Sequence, residues 1–206
     1  MRELGVALNK HQSTTQTFPA DSYDAGGRPL LSWRVHLLPA LNRADLYKRF
    51  KLDEPWDSPA NLALLREMPG DYGTGASRAK AGGAEKTYFR GFSHRGAMFE
   101  KIPGPPGGSP PGVSRNGVPD GTSTTVVVFE AGDPVEWTKP DGLTFGPGQP
   151  MPAVGGVSLQ NPFFHVLMAD GQVKKADRNI DPATFRLLVD RQDANVIPPG
   201  WEIPGS

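Results

Sequence analysis

The 206-residue sequence contains no cysteine. This absence excludes disulfides, a thiolate nucleophile and every zinc site that needs cysteine ligands. The sequence also has no excess charge of either sign, because 22 Lys and Arg residues balance 22 Asp and Glu residues. A chain without net positive charge lacks the electrostatic field that steers proteins onto nucleic acid, so we expect no nucleic-acid partner.

Long hydrophobic runs are absent too. No stretch of the sequence approaches the roughly 18 consecutive apolar residues of a membrane span, so we expect no membrane insertion of the chain as written. The first residues also lack the charged region and apolar run of a secretion signal, so the chain shows no targeting signal. The length favours a single domain over residues 1–206.

The first third of the sequence has helical signals. Residues 1–12 repeat apolar side chains at three- and four-residue intervals, which predicts a short helix. Ser32 is suited to cap a second helix, and Asp45 lies near the start of a third. A fourth helix is predicted to begin at Ser58-Pro59 by the N-cap and first-turn proline rule.

The rest of the sequence is richer in strand signals. Alternation and β-branched residues predict four strands, at residues 87–92, 97–102, 124–129 and 135–138. Asp170-Gly171, between two further apolar segments, favours a hairpin with a type I′ turn. Asp181-Pro182 repeats the helix-start signal and predicts a closing helix.

Glycine and proline are abundant, with 25 and 22 residues, roughly twice average usage. Residues 73–84 are small and polar and predict an exposed loop. Residues 103–112 contain nine Pro or Gly residues in ten and predict a flexible loop. We therefore expect an α+β fold in which an N-terminal helix and a helical insertion pack on an antiparallel sheet, with long Pro/Gly loops.

The densest acidic group is Asp53, Glu54 and Asp57 around Trp56. Carboxylates beside an indole could bind calcium or a sugar ring, because hard cations prefer oxygen ligands and sugar faces stack on aromatic rings. In the structural interpretation, Trp56 anchors a loop and the acids stay solvated. The Asp-x-Asp-x-Asp-Gly spacing of a calcium loop is missing, which favours the structural interpretation. We expect no cofactor, with calcium as the one alternative.

No catalytic motif stands out. Four histidines are far apart in sequence and form no His-Glu-x-x-His motif: His11, His36, His94 and His165. There is no Gly-x-Ser-x-Gly nucleophile elbow. The remaining catalytic hypothesis is a hydrolase that uses Glu130, Asp133 or Glu136, which requires two of these carboxyls to lie in one cleft. We therefore predict that the chain is not an enzyme.

The order of several motifs resembles bacterial prepilin-like (pseudopilin-like) proteins that carry a conserved domain of unknown function and a C-terminal motif of His, nine residues and Asp-Gly. The resemblance covers nearly the whole chain, and its most specific strings are Ser32-Trp33-Arg34-Val35 and Leu52-Asp53-Glu54-Pro55-Trp56-Asp57-Ser58 taken together. Further matching stretches include Asp120-Gly121-Thr122-Ser123 and Met168-Ala169-Asp170-Gly171. The histidine position of the C-terminal motif is Gln160 here. If that histidine has a chemical role, this chain lacks it.

Members of that family typically begin with a prepilin leader and one long hydrophobic helix. Met1 falls where that helix should be ending, so the resemblance implies that residues 1–12 are its remnant. It further implies a pilin-like fold and a non-catalytic structural or adhesive subunit of the cell envelope or another extracytoplasmic, type II secretion-like assembly. Its expected partners are other pilin-like subunits or envelope components. The alternative function is a glycan- or calcium-binding module centred on Trp56.

Overall fold

The computed structural model describes residues 1–73, 77, 80, 82–83, 85–102, 111–158 and 160–204. Its bounded α-helices and strands are α1 (Arg2–Thr15), α2 (Trp33–His36), α3 (Ala44–Tyr47), α4 (Pro59–Leu62), β1 (Lys86–Phe92), β2 (Val126–Glu136), β3 (Gly142–Leu143), β4 (Phe163–Met168), β5 (Val173–Asp177) and α5 (Pro182–Val189). Three short 3-10 helices also occur, at Leu65–Glu67, Gly70–Tyr72 and Arg115–Gly117. These elements confirm the predicted α+β fold.

The helix starts that the sequence predicts are present. The Ser32 hydroxyl accepts a hydrogen bond from the Arg34 backbone N–H at the start of α2. Ser58 caps α4 in the same way, and the Asp181 carboxylate accepts from the Thr184 N–H at the start of α5. The helices α2, α3 and α4 each have only four residues, so the helical insertion is a series of single turns.

Five strands form one open sheet in the order β3-β1-β2-β4-β5. All neighbouring pairs are antiparallel except β1 and β3. The strands predicted at 124–129 and 135–138 belong to the single long strand β2. The β4–β5 hairpin is confirmed, but its turn is not type I′, because Gly171 has a positive φ of 89° and Asp170 does not.

The prediction of a strand at residues 97–102 is wrong. Gly96, at a φ of 91°, opens a turn, and the Phe99 N–H then donates to the Phe92 carbonyl 3.0 Å away. The neighbouring residues Ala97, Met98 and Phe99 are all buried. These three consecutive apolar residues are therefore buried as part of a turn. Their burial does not require the alternating faces of a strand.

The sheet is covered on both faces. One apolar cluster joins α1 and the helical insertion to the sheet and includes Leu4, Trp33 and Val127. A second cluster lies between the other face and α5, where Phe129 and Phe185 are in edge-to-face contact with ring centroids 5.9 Å apart. The antiparallel sheet is thus the middle of three layers.

The helix α1 confirms the predicted N-terminal helix and extends it to Thr15. Its apolar stripe is buried and includes Leu4 and Leu8. At Gly5 the helix backbone approaches the β4–β5 turn so closely that a Cβ atom would lie inside van der Waals contact of the Gly171 carbonyl oxygen. The Asn9 side chain donates to the Asp170 carbonyl, 3.0 Å away.

The chain after α5 pairs with the outer edge of β5. The Asp177 N–H donates to the Trp201 carbonyl and the Ile203 N–H donates to the Lys175 carbonyl, each at 2.9 Å. An antiparallel bridge joins Ala176 to Glu202. The segment 201–203 therefore covers one edge of the sheet.

Two predicted loops fall largely on undescribed residues. Residues 103–110 of the predicted Pro/Gly loop lie outside the described residues, as does much of 73–84. Within the second segment Ser77 and Lys80 are helical and Ser77 is buried, so the exposed-loop prediction is wrong at Ser77. In the described part of the chain, no helix is long and apolar enough to cross a membrane.

The contact between α1 and the hairpin turn yields a test. Replacing Gly5 with Ala is expected to lower the free energy of unfolding by about 2 kcal/mol, because the new methyl group meets the Gly171 backbone. Alanine alone would favour the helix by about 1 kcal/mol. Gly70→Ala is the control, since no atom lies within 4 Å of its Cβ position. Urea unfolding measures both variants, and an unchanged or stabilised Gly5→Ala protein contradicts this contact.

Candidate functional site

The motif residues Ser32, Trp33 and Arg34 are all buried. The Arg34 guanidinium donates from Nε and Nη2 to the Phe89 carbonyl in β1, at 3.0 and 2.7 Å. The Ser32 hydroxyl donates to the Trp137 carbonyl, 2.8 Å away, just after β2. These bonds fasten the start of α2 to two strands of the sheet.

Acidic and aromatic groups surround this buried arginine. The Asp21 carboxylate accepts from the Trp33 N–H at 2.7 Å. Burial raises the pKa of Asp21 to about 6, against the opposing effects of that hydrogen bond and of the Arg34 charge. The Tyr72 hydroxyl donates to the Arg34 carbonyl at 2.7 Å, and burial raises the pKa of Tyr72 well above its usual value. The motif is therefore part of a dry, hydrogen-bonded framework.

The Asp53–Asp57 segment lies at the surface, with Asp53 and Asp57 exposed and Glu54, Pro55 and Trp56 half-buried. The fully buried Asn61 in α4 holds it in place. Its Nδ2 donates to the carbonyls of three residues at 3.0 to 3.2 Å, namely Lys51, Glu54 and Pro55. Its Oδ1 accepts from the Lys51 N–H at 3.0 Å. Sequence analysis missed Asn61, because it predicted only the helix that carries this residue.

Trp56 anchors the same segment to the body of the protein. Its backbone N–H donates to the Leu30 carbonyl at 2.7 Å, and the Lys139 ammonium lies 5.3 Å from its ring centroid. Across the described residues, no group of three or more His, Asp or Glu side chains is placed to hold a metal ion. Asp53, Glu54 and Asp57 thus do not form a convergent set of oxygen ligands.

The two Asp-Gly motifs, 50 residues apart in sequence, meet in space. The Asp170 N–H donates to the Thr122 carbonyl at 2.9 Å. The Asp120 carboxylate accepts from the N–H groups of Asp193 and Ala194 at 2.8 and 3.1 Å. Gly121 adopts a φ of 101°, a conformation that glycine tolerates best. Asp120-Gly121 and Asp170-Gly171 therefore serve as a junction of the fold, and Gln160 is exposed apart from it.

The carboxyls of the hydrolase hypothesis lie in separate surroundings. Glu130 and Glu136 are on the same strand, where a bulge in β2 places them opposite Phe89 and Lys86 of β1, three residues apart. Glu130 Oε2 lies 3.1 Å from His165 Nδ1, whereas Glu136 lies 3.8 Å from the Lys86 ammonium. Asp133 is exposed. Glu130 and Glu136 thus each contact a different basic side chain, which gives no support to the paired arrangement that the hypothesis requires.

The structure also shows two cavities that the sequence did not reveal. One of about 320 Å³ is lined by Glu130 and His165 with Lys175 beside them. Another of about 350 Å³ is lined by His11 and His36. Each brings together residues at least 25 positions apart, so no local motif could have indicated either cavity.

Replacing Asn61 tests the hydrogen bonds that hold the Asp53–Asp57 segment in place. Asn61→Asp is expected to lower the free energy of unfolding by about 3 kcal/mol at pH 7, because a carboxylate would face the three carbonyl oxygens that the amide now satisfies. The decrease in the free energy of unfolding should be smaller at low pH, where the new carboxyl is protonated. Asp57→Asn is the exposed control. A pH-independent loss measured by urea unfolding would contradict this geometry.

Asp21 predicts a pH dependence of stability. Its folded pKa of about 6 exceeds the ordinary value of 3.8, so its contribution to the free energy of unfolding falls as pH rises from about 4 to 6. Asp21→Asn removes this fall and keeps an acceptor for the Trp33 N–H. Relative to the unsubstituted protein, the variant should gain on the order of 2–3 kcal/mol between pH 4 and pH 7. A constant difference across that range in urea unfolding would refute the prediction.

Comparisons with known proteins place the chain in a family. A family model described as a protein of unknown function (DUF1559) matches residues 1–161. No curated protein and no solved structure matches. The matched range includes Arg34, Trp56 and Asp120, whereas Asp170-Gly171 lies beyond it. The chain therefore belongs to the DUF1559 family of proteins of unknown function.

Proposed function

We propose that the chain is a non-catalytic structural or adhesive subunit of a pilin-like assembly at the bacterial cell envelope. The main supporting observation is the seating of α1 on the antiparallel sheet. Its apolar stripe is buried, and Gly5 and Asn9 hold it against the β4–β5 turn. This is the arrangement that the resemblance to prepilin-like proteins implies for the end of an N-terminal helix.

The use of the motif side chains supports a structural role. Ser32 and Arg34 hydrogen-bond to backbone carbonyls of the sheet, and Asp120 bonds to backbone N–H groups near the C-terminus. A buried side chain that already serves backbone groups is not free to contact a substrate. These residues act by holding segments of the chain together.

The outward face of α1 is the surface through which we expect neighbouring subunits to pack. Val6 lies there with 70 % of its surface exposed, between the buried Gly5 and Ala7. An exposed apolar side chain on a helix that is otherwise well seated suits contact with a second helix. The partners in this proposal are copies of the same chain or related pilin-like subunits.

The glycan- or calcium-binding alternative has less support. The Lys139 ammonium lies over the Trp56 ring, and among the described residues the nearby acids form no ligand group. We therefore keep the structural role as the proposed function.

Because the chain has no cysteine, single-cysteine cross-linking can test the proposal directly. The chain is expressed behind a prepilin leader and hydrophobic helix in a bacterium with a prepilin peptidase. We expect processing, recovery in the envelope fraction and cross-linked multimers for Val6→Cys. Val196→Cys is the matched control, since Val196 is 89 % exposed and lies outside α1. It should give few multimers.

Three results would overturn this proposal. They are an unprocessed product in the cytosol, a processed product that gives only monomers at both positions, and equal cross-linking at both positions. The last result would indicate random collision without a defined α1 interface.

A further inference from the structure

The cavity of about 350 Å³ lies where α1, α2 and the end of α3 come together. His11 contributes from α1, His36 from α2 and Tyr47 from α3, and Pro39 and Ala40 form an apolar wall. A neighbouring depression of about 260 Å³ shares both histidines and Tyr47. The two hollows therefore adjoin one imidazole pair.

His36 lines this cavity, and its ring carries an unsatisfied polar atom. Its Nε2 atom is buried, and none of the described residues provides it with a hydrogen-bond partner. The ring packs edge-on against Tyr47, with centroids 6.2 Å apart. A buried ring nitrogen without a partner is uncommon in folded proteins and requires an explanation, such as a bound ligand.

The cavity lining has no negative charge to oppose an anion. Its titratable side chains are Lys10, His11, His36 and Tyr47, and none of the described lining residues is acidic. The Lys10 ammonium is held near the cavity by the Asn42 side-chain oxygen, 2.8 Å away. The lining therefore combines an apolar wall with donors that suit one negatively charged group.

We propose that this cavity binds a small organic carboxylate, with the carboxyl group at the His11–His36 imidazole pair and the apolar body against Pro39, Ala40 and Tyr47. The space is adequate, because a cavity of about 150 Å³ holds benzene and this one measures about 350 Å³. A metal ion is less favoured, since the described residues supply no group of three ligands. This inference does not depend on the proposed function.

Binding should take up a proton. Burial lowers the pKa of His36 to about 4, with a further contribution from His11, and burial also lowers the pKa of His11. Both imidazoles are thus neutral at pH 7. A carboxylate stabilises a protonated imidazole and raises its pKa, so affinity should increase as pH falls. Burial raises the pKa of Tyr47, which remains neutral.

Calorimetry with benzoate and hexanoate, and with benzyl alcohol and hexanol as neutral analogues, tests the proposal. At pH 5.5 and pH 7.0, in two buffers of different ionisation enthalpy, we expect saturable binding of an acid, tighter at pH 5.5 and with proton uptake. His36→Asn should weaken Kd by about tenfold or more. His165→Asn, outside this cavity, is the matched control and should leave Kd unchanged.

A second variant separates loss of the site from loss of the fold. Ala40→Leu fills the apolar wall, keeps both histidines and should also abolish binding, with circular dichroism confirming that each variant is folded. Three outcomes would overturn the proposal: no saturable binding of either acid below about 1 mM at pH 5.5, equal binding by His36→Asn, or binding of the alcohols as tight as the acids. Saturable binding of Zn²⁺ without binding of the acids would indicate a metal site in its place.

Discussion

The buried guanidinium of Arg34 is the constraint on which the arrangement of this protein depends. A positive charge without solvent is tolerated only where hydrogen bonds and opposite charges compensate for its lost hydration. The Phe89 carbonyl accepts two of its N–H groups, and the charges of Asp21 and Asp141 oppose the lowering of its pKa by burial. The strand β1, the loop at Asp21 and the helix α2 must therefore occupy fixed relative positions.

Hydrogen bonds between polar side chains and backbone groups also explain how a chain rich in glycine and proline is ordered outside its sheet. Long loops expose many backbone carbonyls, and a few polar side chains satisfy them in groups. Asn61 serves the segment before α4, and Arg178 donates to the carbonyls of four residues in the loop before β4, namely Val154, Gly155, Ser158 and Asn161. Asp120 has the opposite role, because its carboxylate accepts hydrogen bonds from backbone N–H groups. A small number of side chains thus replaces the regular bonding of helices and strands.

Local signals predicted much of the fold. The helix starts at Ser32, Ser58 and Asp181 follow from capping chemistry within three residues, and the hairpin at Gly171 follows from its turn dipeptide. The strand predicted at 97–102 failed because burial there is set by the core around a turn, which alternation in the sequence cannot show. The hydrogen bond between Asp170 and Thr122, which joins the two Asp-Gly motifs, depends on tertiary packing.

The candidate sites were even harder to predict from the sequence than the fold. His11 falls within the predicted N-terminal helix, but its proximity to His36 depends on how α1 crosses the helical insertion. Asn61 was hidden for a similar reason, since its role depends on the path of the chain ten residues earlier. A local pattern can thus identify a residue's element and face, whereas its partner is decided by the assembled fold.

The C-terminal segment beside β5 has a consequence for self-association. An open sheet grows from its edges when unpaired N–H and C=O groups meet those of another chain. Here residues 201–203 occupy the β5 edge, and the opposite edge is β3, with only two residues. Strand-to-strand polymerisation therefore has little backbone to use at the β5 edge. An association that avoids the β5 edge, for example one through helices, would leave the sheet intact inside each subunit.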